Sequence, residues 1–262
     1  LSADSAALDS EVLARHALGW DRARLLANGR DEEPAGFPAH YQTLIDRRSR
    51  HEPVAFITGV REFWGLEFEV SPAVLIPRPE TELIVEAVCE RFPDRDRVSR
   101  IVDVGTGSGC LSVVLAREFP RARVTAIDIS DGALSVARRN TVRHSVPDRV
   151  AFVRGDLLGA VAGPVDVIVS NPPYVPSAAR LSLDIARFEP AVALFSGEDG
   201  LLALHALIES AAARLSDSGL LVVEFGFGQS DAVALHADRA GWRSVALKDD
   251  LQGIPRVAVL SM

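Results

Sequence analysis

The sequence predicts an α/β fold, a mostly parallel sheet with helices on both faces, preceded by a small helical unit and a β-hairpin connector. Three observations predict it. From about residue 80, short apolar runs of strand length alternate with helix-length segments, as expected when each crossover returns over a face of the sheet. The first fifty residues carry apolar positions at helical spacing. Between the two, the stretch from Pro53 is rich in β-branched and aromatic residues and is broken by Gly59 and Gly65.

Taken in order, residues 4–18 place Ala7, Leu8, Val12 or Leu13, and Ala17 on a helix that Gly19 can end. A second short helix runs from Asp21 to Asn28 before Gly29. A third, from about Ala39 to Arg50, carries Tyr41, Leu44 and Ile45 on one side. Arg47, Arg48 and Arg50 sit near its end, where positive charge suits the helix dipole. Val54 to Thr58 and Phe63 to Val70, separated by Gly59, read as one or two hairpins. After Pro77 and Pro79 the predicted helices are 80–91, 109–118, 131–143, 200–215 and 230–240. The predicted strands are 100–104, 123–127, 150–153, 165–170 and 219–225, with two more near 243–247 and 256–260. The division into domains is therefore 1–52 helical, 53–77 hairpin connector and 78–262 α/β. The irregular stretch from about Pro172 to Asp199 exceeds an ordinary connection, and long loops in compact domains usually serve function or move.

Composition excludes several classes. With 262 residues, 48% hydrophobic and 24% charged, the chain lies far from the disordered corner. A formal net charge of -8 supplies no overall positive field for a phosphate backbone, so stable nucleic-acid binding is disfavoured. Cys89 and Cys110 form no C-x-x-C, which argues against a disulfide framework or a zinc site and fits a reducing cytoplasm. Asp4, Asp9 and Glu11 interrupt any signal-peptide core, and no run of 18 uncharged apolar residues occurs, so a membrane-spanning or exported protein is not expected. The chain starts at Leu1 rather than Met, which leaves room for further residues before it.

The chemistry-bearing motifs begin with Asp103-Val104-Gly105-Thr106-Gly107-Ser108-Gly109, between an apolar strand and a helix. Three glycines in five residues let the backbone turn tightly and let a ligand lie against bare peptide at the carboxyl end of the first strand. The G-x-G-x-G spacing differs from the dinucleotide fingerprint and from the phosphate loop, and no Lys follows. Asp128 ends the next strand, where a carboxylate can accept hydrogen bonds from both hydroxyls of a ribose; capping the following helix is its bland alternative. Asp156, followed by Leu157, ends the third and could accept from an adenine amino group, although Gly-Asp is also ordinary turn chemistry.

Asn171-Pro172-Pro173-Tyr174 decides the reading. Two prolines stop the strand and fix the main-chain direction, displaying Asn171 at the sheet's carboxyl edge. An amide or conjugated amine nitrogen is a poor nucleophile because its lone pair is delocalised. The Asn171 side-chain oxygen and the Pro172 carbonyl can both accept from such an NH2, hold its nitrogen towards an electrophile and stabilise the positive charge that develops. Tyr174 can pack over the planar group.

In order and position these motifs resemble the S-adenosylmethionine-dependent methyltransferases that modify planar NH2 groups. More narrowly, Ile76-Pro77-Arg78-Pro79-Glu80-Thr81-Glu82, Phe188-Glu189-Pro190-Ala191-Val192-Ala193-Leu194 and Gly197-Glu198-Asp199-Gly200-Leu201 resemble the PrmC or HemK family, protein glutamine methyltransferases of peptide chain release factors. The resemblance implies a Rossmann-like seven-stranded methyltransferase domain and S-adenosyl-L-methionine as cofactor. It also implies methylation of the glutamine side chain in the Gly-Gly-Gln motif of release factors in the cytoplasm. Gly105, Thr106, Gly107, Ser108, Gly109, Asp128, Asp156, Leu157 and Asn171 would hold the cofactor. Asn171, Pro172, Pro173 and Tyr174 would form the catalytic turn, and the N-terminal helices would recognise the protein substrate. Leu157 stands where family members often carry an aromatic residue. Glu224-Phe225-Gly226-Phe227-Gly228-Gln229 is a loose version of another family segment and receives no catalytic role. Histidine spacing offers no metal site. The rivals are an adenine-amine methyltransferase of DNA or RNA, a ribosomal-protein glutamine methyltransferase, and a non-enzymatic binding protein on the same scaffold.

Overall fold

A computed structural model describes residues 3–262, with side chains from residue 6 onward; Leu1, on which the expectation about the chain's start rests, lies outside the described residues. The chain divides into two compact units. One comprises the residues up to Val60 together with Leu181–Phe188, the other Arg61–Arg180 with Glu189–Met262.

The helical unit contains α1 (Ala3–Leu18), α2 (Arg22–Asn28), α3 (Phe37–Ser49) and α4 (Val54–Thr58). Its core is small: Leu13, Leu44 and Ile57 are buried, with Ala17, Tyr41, Ile45 and Val54 packed around them. Asp21 caps α2 by accepting from the Arg24 N–H at 2.7 Å, and Arg48 reaches back to Asp9 at 2.7 Å to join α3 to α1. Residues 54–58, expected as a strand of the connector, form a helix instead. The Pro53 carbonyl accepts from the N–H groups of Phe56 and Ile57, Gly59 ends the turn at φ +78°, and Ile57 enters the helical core. Packing has overridden the β preference of Val, Phe, Ile and Thr. The unit thus extends past the expected boundary at 52 and also takes in residues 181–188, which belong to the long irregular stretch.

The hairpin is β1 (Val60–Phe63) with β2 (Leu66–Glu69), turned by Trp64 and Gly65, both at positive φ as a tight hairpin turn requires. Then follow α5 (Glu82–Arg91), β3 (Arg100–Val104), α6 (Cys110–Glu118), β4 (Arg123–Asp128), α7 (Asp131–Arg143), β5 (Val150–Arg154) and β6 (Val165–Ser170). After α8 (Leu183–Phe188), which belongs to the helical unit, come α9 (Leu202–Ala211), β7 (Leu215–Glu224), α10 (Ser230–Arg239), β8 (Ser244–Asp249) and β9 (Pro255–Ser261).

Strands β3 to β9 form one seven-stranded sheet in the order β5-β4-β3-β6-β7-β9-β8. Neighbouring strands are parallel from β5 to β7, and β9 runs antiparallel to both of its neighbours. Successive residues of β7 serve opposite faces: Leu220 and Val222 join a core with α5, α6, Phe63 and Phe68, while Leu221 and Val223 join one with α9 and α10. Burial on both faces explains the continuous apolar runs read from the sequence. The strand order reverses between β3 and β6, so their carboxyl ends open the crevice where such sheets bind ligands.

Candidate active site

The glycine-rich turn joins β3 to α6. The N–H groups of Gly105 and Thr106 both donate to the Ile127 carbonyl, at 2.8 and 2.9 Å, and tie the turn to the end of β4. Gly107 N–H donates to Asp128 Oδ2 at 3.0 Å and Ser130 N–H to Asp128 Oδ1 at 2.9 Å. Two backbone donors therefore orient the Asp128 carboxylate while each oxygen keeps a free lone pair. The cap of α7 is Ser130, whose Oγ accepts from Ala133 N–H, so the capping alternative for Asp128 falls to its neighbour.

The three glycines differ in purpose, although all have positive φ. A Cβ at Gly105 or Gly107 would meet nothing nearer than 3.9 Å, leaving bare backbone beside open space. At Gly109 it would lie 2.9 Å from Ala137 Cβ, so this glycine lets the start of α6 pack against α7. Gly105, Thr106, Gly107 and Ser108 line a cavity with about 1060 Å³ of free space, part of it open to solvent; Gly109 is not among its lining residues. Asp128, Asp156, Leu157, Asn171, Pro172 and Pro173 line the same cavity, as does Thr81. Leu157 is held at φ +47°, an uncommon conformation for a bulky residue, and partly packs on the α9 and α10 core.

Beneath the turn, Asp103 is 1% exposed. Its Oδ2 accepts from Thr106 Oγ1 and Ser112 Oγ, both at 2.6 Å, and from Ser112 N–H at 3.1 Å, while Oδ1 has no partner. Burial pushes this carboxyl up to about 6; the bonds from Ser112 and Thr106 oppose the rise and the charge of Asp128 adds to it. Cys110 also lines the cavity, but burial drives its thiol up to about 12, which leaves it a poor nucleophile.

Asn171 follows β6. Its Nδ2 donates to Thr81 Oγ1 at 3.0 Å, Thr81 Oγ1 lies 2.6 Å from Glu224 Oε2, and Glu224 Oε1 accepts from the Tyr174 hydroxyl at 3.0 Å. Asn171 Oδ1 has no partner. Glu224 is 2% exposed, and its burial raises the carboxyl to about 7 against the pull of Thr81 and Tyr174. Tyr174, expected at the wall of the acceptor pocket, is not among the cavity-lining residues; its phenol, buried beside Glu224, is held well above its ordinary range. Main-chain approach fixes the same turn from behind. A Cβ at Gly200 would collide with the Tyr174 carbonyl oxygen, and Gln229 Nε2 donates to that oxygen at 3.1 Å.

The base of the irregular stretch is closed. Val175 N–H donates to Leu194 O, Ser196 N–H to Val175 O, and both the N–H and Oγ of Ser177 to Gly197 O. Arg78 pairs with buried Glu189 at 2.5 Å, and Ile76 N–H donates to the other carboxylate oxygen at 3.3 Å, joining two segments of the resemblance. Among the described residues no group of three or more His, Cys, Asp or Glu is placed to hold a metal ion, and no helix is long and apolar enough to cross a membrane.

Comparison with known proteins covers both units. A model of the PrmC N-terminal domain matches residues 1–59 and one of the methyltransferase small domain matches residues 80–191. The release factor glutamine methyltransferase of Koribacter versatilis is 43% identical over 256 residues, covering 96% of this chain and 90% of that protein. The chain belongs to the release factor glutamine methyltransferase family. The namesake from Bradyrhizobium diazoefficiens is likewise 43% identical, covering 97% of this chain and 87% of its own. A solved methyltransferase from Pyrococcus furiosus, 19% identical, superposes with a TM-score of 0.56 over 82% of this chain and 97% of that one, a likeness of fold.

Nothing in the sequence patterns read above points to the hydrogen bonds that Thr81 and Glu224 make to Asn171 and Tyr174. A signal was present: Glu224 is a carboxylate closing the apolar run Leu220-Leu221-Val222-Val223, a costly place for a charge without hydrogen-bonding partners.

Proposed function

We propose that the chain transfers the methyl group of S-adenosylmethionine to the side-chain amide nitrogen of the glutamine in the Gly-Gly-Gln motif of peptide chain release factors. The observation that carries this reading is Asn171, a cavity-lining amide whose Nδ2 is engaged and whose Oδ1 lacks any partner, next to a turn that presents bare glycine backbone. Buried acceptors are rarely left unpaired without a functional reason.

The residues fit the cofactor. Gly105 and Gly107 leave a cradle that side chains would fill, Thr106 and Ser108 continue it, and Asp128 keeps free lone pairs for the ribose hydroxyls. Asp156 is exposed at the wall to accept an amino group, and Leu157 supplies apolar surface for a flat base in place of an aromatic ring. Bound there, the cofactor supplies a methyl group on a sulfonium, whose bonding pair returns to sulfur as the methyl leaves. Asn171 Oδ1 and the Pro172 carbonyl accept from the two N–H bonds of the glutamine amide, hold its nitrogen in line and stabilise the growing positive charge. The nitrogen sheds a proton after transfer, so no strong base is needed beforehand. Gly109 and Tyr174 act behind the site, in packing and in anchoring.

A glutamine side chain offers little surface, so selecting one loop of one protein needs contacts elsewhere, and specific protein interfaces bury roughly 1,200–2,000 Å². The helical unit supplies them in this reading, and the site of action is the cytoplasm. Incubating the full chain with methyl-labelled cofactor and separate pools of release factor, ribosomal protein and nucleic acid tests the proposal. Label is expected on the Gly-Gly-Gln glutamine; label on a ribosomal protein or on adenine, or on nothing, would overturn it.

A further inference from the structure

Four segments far apart in sequence meet at one buried carboxylate. Glu224 closes β7, Thr81 precedes α5, and Asn171 and Tyr174 belong to the turn after β6. We infer that Glu224 and Thr81 are positioning residues that set which end of the Asn171 amide is offered to the acceptor. The inference rests on the reading of Asn171 Oδ1 as the acceptor's partner.

An ionised carboxylate only accepts, so the Thr81 hydroxyl, 2.6 Å from Glu224 Oε2, spends its one proton there, and the Tyr174 hydroxyl spends its own on Oε1. Thr81 Oγ1 then presents only lone pairs to Asn171. The Asn171 group at 3.0 Å must be its NH2, which turns Oδ1 away from Thr81 and leaves it unpaired. The acceptor amide brings two N–H donors, and an oxygen is what can receive one. With Glu224 protonated, its carboxyl can donate to Thr81, and the freed hydroxyl proton turns towards Asn171 and favours the flipped amide. The flipped amide presents N–H to N–H, which repels the substrate.

The groups acting on Glu224 are Thr81, Tyr174, Glu80, whose charge raises the carboxyl, and Arg256, whose charge lowers it; Arg256 is itself paired with Asp250, and Arg78 acts on Tyr174. Burial places the Glu224 titration at about 7, roughly a unit above that of Asp103 at about 6. Turnover should therefore fall with acid in a limb centred near 7.

The test uses the full chain, S-adenosylmethionine and intact release factor. Thr81→Val keeps the volume and removes the hydroxyl; it should lower kcat about 10- to 10²-fold, the scale of a preorganised polar group, and leave the cofactor Kd within a few-fold. Thr81→Ser should restore kcat to within a few-fold of wild type. Glu224→Gln, whose amide can donate to Thr81, should lower kcat and abolish the limb near 7. Wild-type kcat in Thr81→Val, failure of Thr81→Ser to rescue, or an unchanged acid limb in Glu224→Gln would each overturn the relay. Asn171→Ala separates the two claims. If it is inactive while Thr81→Val turns over normally, only the relay fails; if it turns over normally, the reading of Asn171 itself fails.

Discussion

The glycine-rich turn after β3 and the Asn-Pro-Pro-Tyr turn after β6 leave adjacent parallel strands at the same edge of one sheet, but they are held differently. The first is fixed by its own neighbourhood: main-chain bonds to Ile127 and one carboxylate, Asp128, that reaches it from the next strand. The second is fixed from a distance, by Glu224 from β7, Thr81 from before α5, and Gly200 and Gln229 behind Tyr174. A ligand read mainly by backbone and one carboxylate can be served by a local motif. A planar amide that must be met by the correct end of another amide needs side chains that remove the choice.

The largest expected effect is a crossing of two phenotypes. Asn171→Ala should reduce turnover about 10²-fold or more and change cofactor affinity little, since its unpaired Oδ1 is the proposed contact to the acceptor. Asp128→Ala should do the reverse, weakening cofactor binding by about 1–3 kcal/mol as charged hydrogen bonds are lost. Calorimetry with the cofactor and single-turnover rates on intact release factor measure both. If each variant lost affinity and rate in equal proportion, the two turns would be one site and the contrast would collapse.

Within the first turn the contrast can be sharpened further. Gly109→Ala places a methyl group 2.9 Å from Ala137 Cβ at φ +80°, and it should cost about 2 kcal/mol of stability in denaturant unfolding. Gly105→Ala shares the backbone strain but meets open space, so it should cost about 1 kcal/mol of stability and act chiefly on cofactor affinity. Equal unfolding midpoints for the two variants would remove the distinction between a packing glycine and a cradle glycine.

The same locality decides what could be read in advance. The sheet, its crossovers and the order of the motifs follow from periodicity and from glycine and proline, which act within a few residues. Gly105, Asp128 and Asn171 could be placed at one edge of the sheet in advance because each ends or follows a strand. Gly109 looked identical to Gly105, and only the approach of Ala137, 28 positions on in a separate helix, distinguishes them. Residues 54–58 carry β-favouring side chains, but Val54 and Ile57 pack with Leu13 and Leu44, and residues 181–188 of the irregular stretch belong with the helical unit. Glu224 stayed hidden because its partners lie 143 and 50 positions away.

The last prediction concerns the cost of the relay to the fold. Glu224 titrates at about 7 in the folded chain against an ordinary 4.5, because burial disfavours its charge. A carboxyl whose folded value is raised contributes stability that is fully present below the unfolded value, here about 4.5, and lost as pH rises through the folded value near 7. Asp103 behaves alike in a lower window, from its ordinary 3.8 to about 6. Through these two carboxyls the protein should lose stability between about pH 4 and 7 while turnover rises over the upper part of that range, because the anion proposed to orient Asn171 is the costly form to bury. Glu224→Gln stays uncharged and should flatten the upper window only. Its stability relative to wild type should grow by about 2 kcal/mol from pH 5 to 8, a melting difference of roughly 4–8 °C. Parallel melting curves for the two proteins across that range would show that Glu224 carries no such penalty, and the opposition between stability and turnover at the second turn would be gone.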